Sequence, residues 1–270
     1  MDRLTYRERA LISRGYEEEL VKNLNSFNEV DVNNVALNIF KKVSYNCSVT
    51  NNPKCIIVGG QPGSGKSTRI NEINDIFNNN IIDINMDLYR EYHPNYEWIV
   101  NSINKHWENR EMNINDSPGN DLADFTHKFA GKVADKLVEL SSTIINNQAY
   151  NIVIEWGMRK PDAPLETIKN IHDKGYYVEV IFIAVHKSES LEACDFRDTN
   201  KDVLVRRVSA DFHDLCIKEL PISAKTIYEE GFSNNIIDSF KIIDRDNNII
   251  WDKDNNNDLY EVYYNYLNNN

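Results

Sequence analysis

The run Gly60-Gln61-Pro62-Gly63-Ser64-Gly65-Lys66-Ser67 constrains the fold more than any other stretch, because of what flanks it. It fits G-x-x-x-x-G-K-[ST] at every fixed position. Before it stands Cys55-Ile56-Ile57-Val58, a short uninterrupted β-branched run of the kind a strand buried on both faces requires. After it, Thr68 to Phe77 can form a helix. Strand, glycine loop and helix together aim successive backbone amides and a helix N-terminus at an anion. On this reading Gly60 to Thr68 bind the phosphates of ATP. Lys66 reaches the β- and γ-phosphates, and Ser67 gives an oxygen to Mg²⁺.

Three further runs resemble the first strand: Ile81 to Ile84, Ile152 to Ile154 and Val178 to Val185. Helical stretches lie between them, notably Asp121 to Asn146 and Leu165 to Lys174, the latter followed by Gly175 as C-cap. The alternation predicts an α/β fold, a parallel sheet with helices on both faces. Ile242 to Trp251 reads as a closing pair of strands joined at the polar tetrad Arg245 to Asn248. Residues 4 to 43 carry helical spacing, as in Leu20, Val21, Leu24 and Phe27, and in Val32, Val35, Ala36, Ile39 and Phe40. The expected division is a helical N-terminal extension over 1–50 and a P-loop kinase-type domain over 51–270, forming one compact body.

Charge narrows the partners. Against 42 acidic residues stand 30 basic ones, a net charge of −12, which repels a polyanion and argues against nucleic acid. Met1 to Tyr16 is charged throughout, and no run approaches the roughly 20 apolar residues of a membrane span. The four cysteines form no C-x-x-C pair. A cytoplasmic protein without disulfides or structural zinc is expected.

A phosphate loop alone does not fix the reaction. No N-K-x-D element for guanine is present, and 270 residues leave no room for the second lobe of a motor. A small-molecule kinase needs a carboxylate near the γ-phosphate. Asp87 follows the second strand, where it can orient an acceptor hydroxyl or cap a helix. Glu155 ends the third strand, where it can serve Mg²⁺, bind substrate or pair with Arg159. Arg206 and Arg207 suit either a mobile lid over the transferred phosphoryl or a solvated helix face. Trp98 and Trp107, with Ile99, Ile103 and His106, read as a helix face, and His186 and His213 show no zinc pattern.

Four blocks in order resemble the zeta toxins, bacterial kinases of UDP-N-acetylglucosamine. They are Gly59 to Ser67, Asp87-x-x-Arg90-x-x-His93-Pro94, Ile154-Glu155-x-Gly157-x-Arg159, and Arg206 with His213-Asp214. The resemblance spans roughly Lys54 to Trp251 and implies specific roles. Asp87 would activate the 3′-hydroxyl of the amino sugar. Glu155 and Arg159 would hold the nucleotide sugar, with Arg90 and His93 in the same substrate-binding set. Arg206, with Arg197 as its upstream partner, would bind the ATP phosphates, and a small helical antitoxin would block the ATP site. Gly157 stands where the family usually has threonine, beside the bulky Trp156. Other acceptors therefore stay open (another nucleotide, an antibiotic, a cofactor ribose), as does a nucleotide-dependent binding module with little transfer.

Overall fold

The computed structural model describes residues 4–111, 117–199 and 207–268, with the side chains of 197–199 outside that description. In chain order it contains α1 (Tyr6–Ser13), α2 (Glu18–Leu24), α3 (Glu29–Val43), β1 (Lys54–Gly60), α4 (Lys66–Ile76) and β2 (Ile82–Asn85). A 3₁₀ helix (Met86–Tyr92), α5 (Tyr96–Trp107), α6 (Pro118–Ser141), β3 (Ile152–Glu155), α7 (Asp162–His172) and β4 (Tyr177–Ile183) follow. The chain closes with α8 (Lys187–Thr199), α9 (Ala210–Ser233), β5 (Ser239–Ile243), β6 (Ile249–Asp252) and α10 (Leu259–Asn268). No helix among the described residues is long and apolar enough to cross a membrane.

Two compact units are present. One comprises residues 1–39, 85–137 and 196–209; the other comprises 40–84, 138–195 and 210–270. The second contains the sheet, in the strand order β2-β3-β1-β4-β5-β6. β1 pairs in parallel with β3 and β4, and β4 with β5, while β6 runs antiparallel to β5. Every residue of β1 after Lys54 is buried, as its unbroken apolar run requires. Ile56, Val58, Val153, Ile181 and Ile183 meet Ile70 and Ile73 of α4 on one face. On the other face Phe182 packs on Tyr263 of α10, and Phe240 packs on Tyr228 of α9. Helices therefore cover both faces, as the alternation predicts.

Boundaries differ from expectation where local chemistry intervenes. The helix expected over 121–146 starts at Pro118, a residue suited to a first turn, and ends at Ser141. Asn146 and Asn147, both at positive φ, then turn the chain so that Ile145 and Gln148 bridge. Gly175, at φ +84°, lies two residues past the Asp173 cap that ends α7.

The other unit is helical around its own core. Leu11, Tyr16, Val21 and Leu24 meet Ile99 and Ile103 of α5 and Leu122 and Phe125 of α6. A buried polar knot lies against them. Asp121, fully buried, pairs with Arg14 at 2.7 Å and accepts from Tyr16 Oη at 2.8 Å and Trp107 Nε1 at 2.7 Å. Arg7 and Arg14 both bind Asp124. Trp107 is thus anchored, whereas Trp98 is 70% exposed and leaves the expected helix face.

Candidate active site

The phosphate loop is shaped by its backbone. Gly65 caps α4 at φ +94°, a left-handed conformation natural to glycine, and this starts the helix at Lys66 rather than Thr68. At Gly63, φ +75°, an added Cβ would lie 2.1 Å from the Ser190 carbonyl oxygen of α8. Two side-chain hydrogen bonds tie the loop to its surroundings. Gln61 Nε2 donates to the Val185 carbonyl at 2.6 Å just past β4, and Arg245 Nη2 donates to the Gly63 carbonyl at 2.6 Å. Ser190 is held in turn by His213 of α9, Oγ to Nε2 at 2.8 Å, and burial pushes that imidazole below its ordinary pKa.

Lys66 lies across the loop, its Nζ donating to the carbonyls of Gly60 and Gln61 at 3.1 Å each. Beside it, Ser67 Oγ donates to the Glu155 carboxylate at 3.2 Å. Pairing explains this approach: Glu155 at the end of β3 is in register with Val58 of β1, next to the loop. Asp83 of β2 is a second carboxylate there. Burial, reinforced by the negative Glu155, pushes it up to about 6. A hydroxyl with hard carboxylate oxygens fits Mg²⁺, which retains water and phosphate ligands and needs few from protein. Among the described residues no group of three or more His, Cys, Asp or Glu side chains could hold a metal ion alone.

Arg159 does not join Glu155. The chain turns through Met158, buried at φ +46°, and Arg159 pairs with Glu219 of α9 and lies over the Phe212 ring at 5.9 Å. Lys160 binds the same Glu219 at 2.9 Å. A side chain at Gly157 would meet nothing within 4 Å.

Asp87, Arg90 and His93 belong to the helical unit. Asn85, not Asp87, caps the 3₁₀ helix, its Oδ1 accepting from the Asp87 amide at 2.9 Å. The Asp87 carboxylate, 64% exposed, accepts from Arg90 Nε at 3.0 Å and Nη2 at 2.5 Å. Arg90 Nη1 donates onward to the Ala123 carbonyl and Thr126 Oγ1 of α6. An exposed carboxylate in a fixed orientation results. His93 is only 3% exposed, edge-on to Phe27 and Phe129, and its Nδ1 accepts from the Asn95 amide. Burial pushes it down to about 4. Arg206 and the Arg197 side chain lie outside the described residues, whereas the Arg207 amide donates to Asn120 Oδ1 at 3.0 Å.

Sequence reading missed Asp83, although a lone polar residue inside Ile81 to Ile84 marked it. It also missed Gln61's anchor to Val185, Arg245's bond to the loop and the Ser190–His213 pair, which depend on contacts across 23 to 182 residues.

A model of the zeta toxin family matches residues 38–256. This chain belongs to the zeta toxin family. The zeta toxin of Streptococcus pyogenes is 25% identical over 188 residues, which cover 68% of this chain and 59% of that protein. The chain therefore spans less than two thirds of that relative's length. Toxin PezT of Streptococcus pneumoniae is 26% identical over 208 residues, covering 76% of this chain and 73% of the toxin. Among solved structures, one from the PezAT toxin–antitoxin system of Streptococcus pneumoniae superposes with a TM-score of 0.69 at 23% identity, covering 90% of this chain and 89% of its own. The fold is the α/β P-loop kinase fold. The stretch matched by the zeta toxin model contains the phosphate loop, Asp83, Asp87, Glu155, Arg159 and Arg245, and excludes α1 and α2.

Proposed function

We propose that this chain is an ATP-dependent kinase that transfers the γ-phosphoryl group to a hydroxyl of a UDP-amino sugar, UDP-N-acetylglucosamine first. One observation carries the reading: Lys66 lies over the Gly60 and Gln61 carbonyls while Ser67 meets Glu155 at the end of a neighbouring strand. That is a place for phosphate on one side and for a hard cation on the other. Ser67 and Glu155 would hold Mg²⁺, directly or through water, and the ion would supply charge neutralisation during transfer. Lys66 contributes a further positive charge toward the leaving phosphates.

Asp87 is assigned as the base that accepts the hydrogen bond of the acceptor hydroxyl. Its pairing with Arg90 supports a role in orientation, since an arginine-held carboxylate keeps one geometry. Arg159 and Glu155 are assigned to the nucleotide sugar, and Arg206 with Arg197 to the ATP phosphates. A small helical antitoxin is the proposed partner, on the model of the PezAT relative, and the cytoplasm is the proposed compartment. The open space at Gly157 supports a second reading, in which the acceptor is another hydroxyl compound with more bulk at that point.

The test is product formation from γ-labelled ATP, Mg²⁺ and a panel of nucleotide sugars, with Lys66→Ala as blank. Label on UDP-N-acetylglucosamine is the expected result. Label on a different acceptor alone transfers the assignment to that compound. No transfer to any acceptor, with ATP bound, overturns the kinase reading in favour of a nucleotide-binding module.

A further inference from the structure

Arg245 occupies the turn between β5 and β6 and has no role in the reaction described above. Besides its bond to the Gly63 carbonyl, it lies close to Gly65: a Cβ built there would be 3.7 Å from its Cγ and 3.9 Å from its Nε. The guanidinium therefore lies along the rim of the phosphate loop, beside the two glycines that curl it. Its other ion-pair partner is Glu189 at 3.9 Å, at the outer limit of such a contact.

The turn is organised to keep it there. Asp244 Oδ1 accepts from the amides of Asp246 at 2.9 Å and Asn248 at 2.8 Å, and Asn248 Nδ2 donates to its other oxygen. Asn247, at φ +67°, donates to Glu72 of α4, which also receives Arg69. Those two hydrogen bonds hold the Glu72 carboxyl below the usual range. The hairpin is thus attached to the first helix of the nucleotide loop as well as to the loop itself.

A carbonyl needs only one neutral donor to be satisfied, and glutamine or lysine could supply it. A guanidinium brings five N–H donors and a permanent charge. With its side chain 39% exposed, it is open to a ligand as well as bound to the loop. We infer that Arg245 is a nucleotide-binding residue, a cation that the C-terminal hairpin holds at the edge of the loop to attract the polyphosphate of a nucleoside triphosphate. The inference rests on the reading of Gly60 to Ser67 as a nucleotide site and adds a second fixed charge beside Lys66.

Titration calorimetry of the full chain with Mg²⁺ and ATP, ADP or adenosine tests it, using wild type, Arg245→Gln, Arg245→Ala and Arg245→Lys. Loss of the charge is expected to weaken ATP by about tenfold, since the pair is charge-assisted but partly solvated. Lysine should keep most of that affinity, and adenosine should bind all four proteins alike. ATP binding by Arg245→Gln equal to wild type, or equal losses for ATP and adenosine in every variant, would make Arg245 a mere clamp on the loop and overturn the inference. Absence of ATP binding by wild type would instead overturn the nucleotide site on which it rests.

Discussion

The two units assemble their functional groups by different means. In the sheet-containing unit the proposed phosphate site is backbone work: Gly63 and Gly65 at positive φ curl the loop, and Lys66 bonds to its carbonyls. In the helical unit, Asp87 owes its orientation to a side chain, Arg90, which is itself held by α6. The cores differ in the same way. One is an apolar sandwich of Ile and Val, and the other shelters the Arg14–Asp121 pair. A backbone-built site is fixed by a few consecutive residues, whereas a side-chain-built one depends on neighbours far along the chain.

The sharpest break in that comparison is kinetic. Asp87→Ala should lower transfer by about 10²–10⁴-fold, the usual range for losing a general base, while ATP still binds. Lys66→Ala should lose both. Calorimetry beside a transfer assay separates them, and loss of ATP affinity in Asp87→Ala would dissolve the division of labour.

Next comes stability. Asp121→Ala leaves Arg14 with Asp124 and strips Tyr16 and Trp107 of their acceptor. Urea denaturation should show a loss of about 2–4 kcal/mol, the cost of two donors left unsatisfied. A cost below about 1 kcal/mol, within the range of an exposed pair, would mean that the knot contributes no more than surface charges do.

The units should also answer pH with opposite signs. His93 has its native pKa pushed down to about 4, so the unfolded chain binds more protons between there and its ordinary 6.5. Its contribution is complete above that window and is lost, up to about 3 kcal/mol, as pH falls through it. Asp83, raised from 3.8 to about 6, does the reverse: it favours the native state at low pH and loses that effect as pH rises through 6. Denaturation of His93→Gln and Asp83→Asn at pH 5 and pH 7 should remove one slope each. Unchanged slopes would place the acid sensitivity elsewhere.

The smallest effect is expected at Gly157→Thr. Its surroundings are open and its φ is not positive, so stability should change by less than about 0.5 kcal/mol, as for an ordinary surface substitution. A change in acceptor preference without a change in melting temperature would tie this position to selectivity. Unchanged kinetics for every acceptor would remove it from the site.

Much of the architecture was legible in order along the chain. The run at 55–58 became β1, and those at 152–154 and 178–185 became β3 and β4, because strands buried on both faces need continuous apolar sequence. The run at 81–84 became the half-buried edge strand β2. Asn85 took the cap considered for Asp87, and Arg159 chose Glu219 over Glu155, since each choice depends on which backbone or carboxylate lies within 3 Å after folding. α10 carried no motif and was not anticipated, yet Tyr263 on it completes the packing on Phe182.

By itself the sequence determined the phosphate loop, its flanking strand and helix, and the family blocks, because these are short-range: a loop conformation set by glycines needs only its own residues. Tertiary structure alone decided that Ser67 meets Glu155 across 88 positions, that Asp83 is charged only reluctantly, and that Arg245 reaches the loop across 182. Distance, burial and the field of neighbouring charges decide those properties, and all three exist only once the chain has folded.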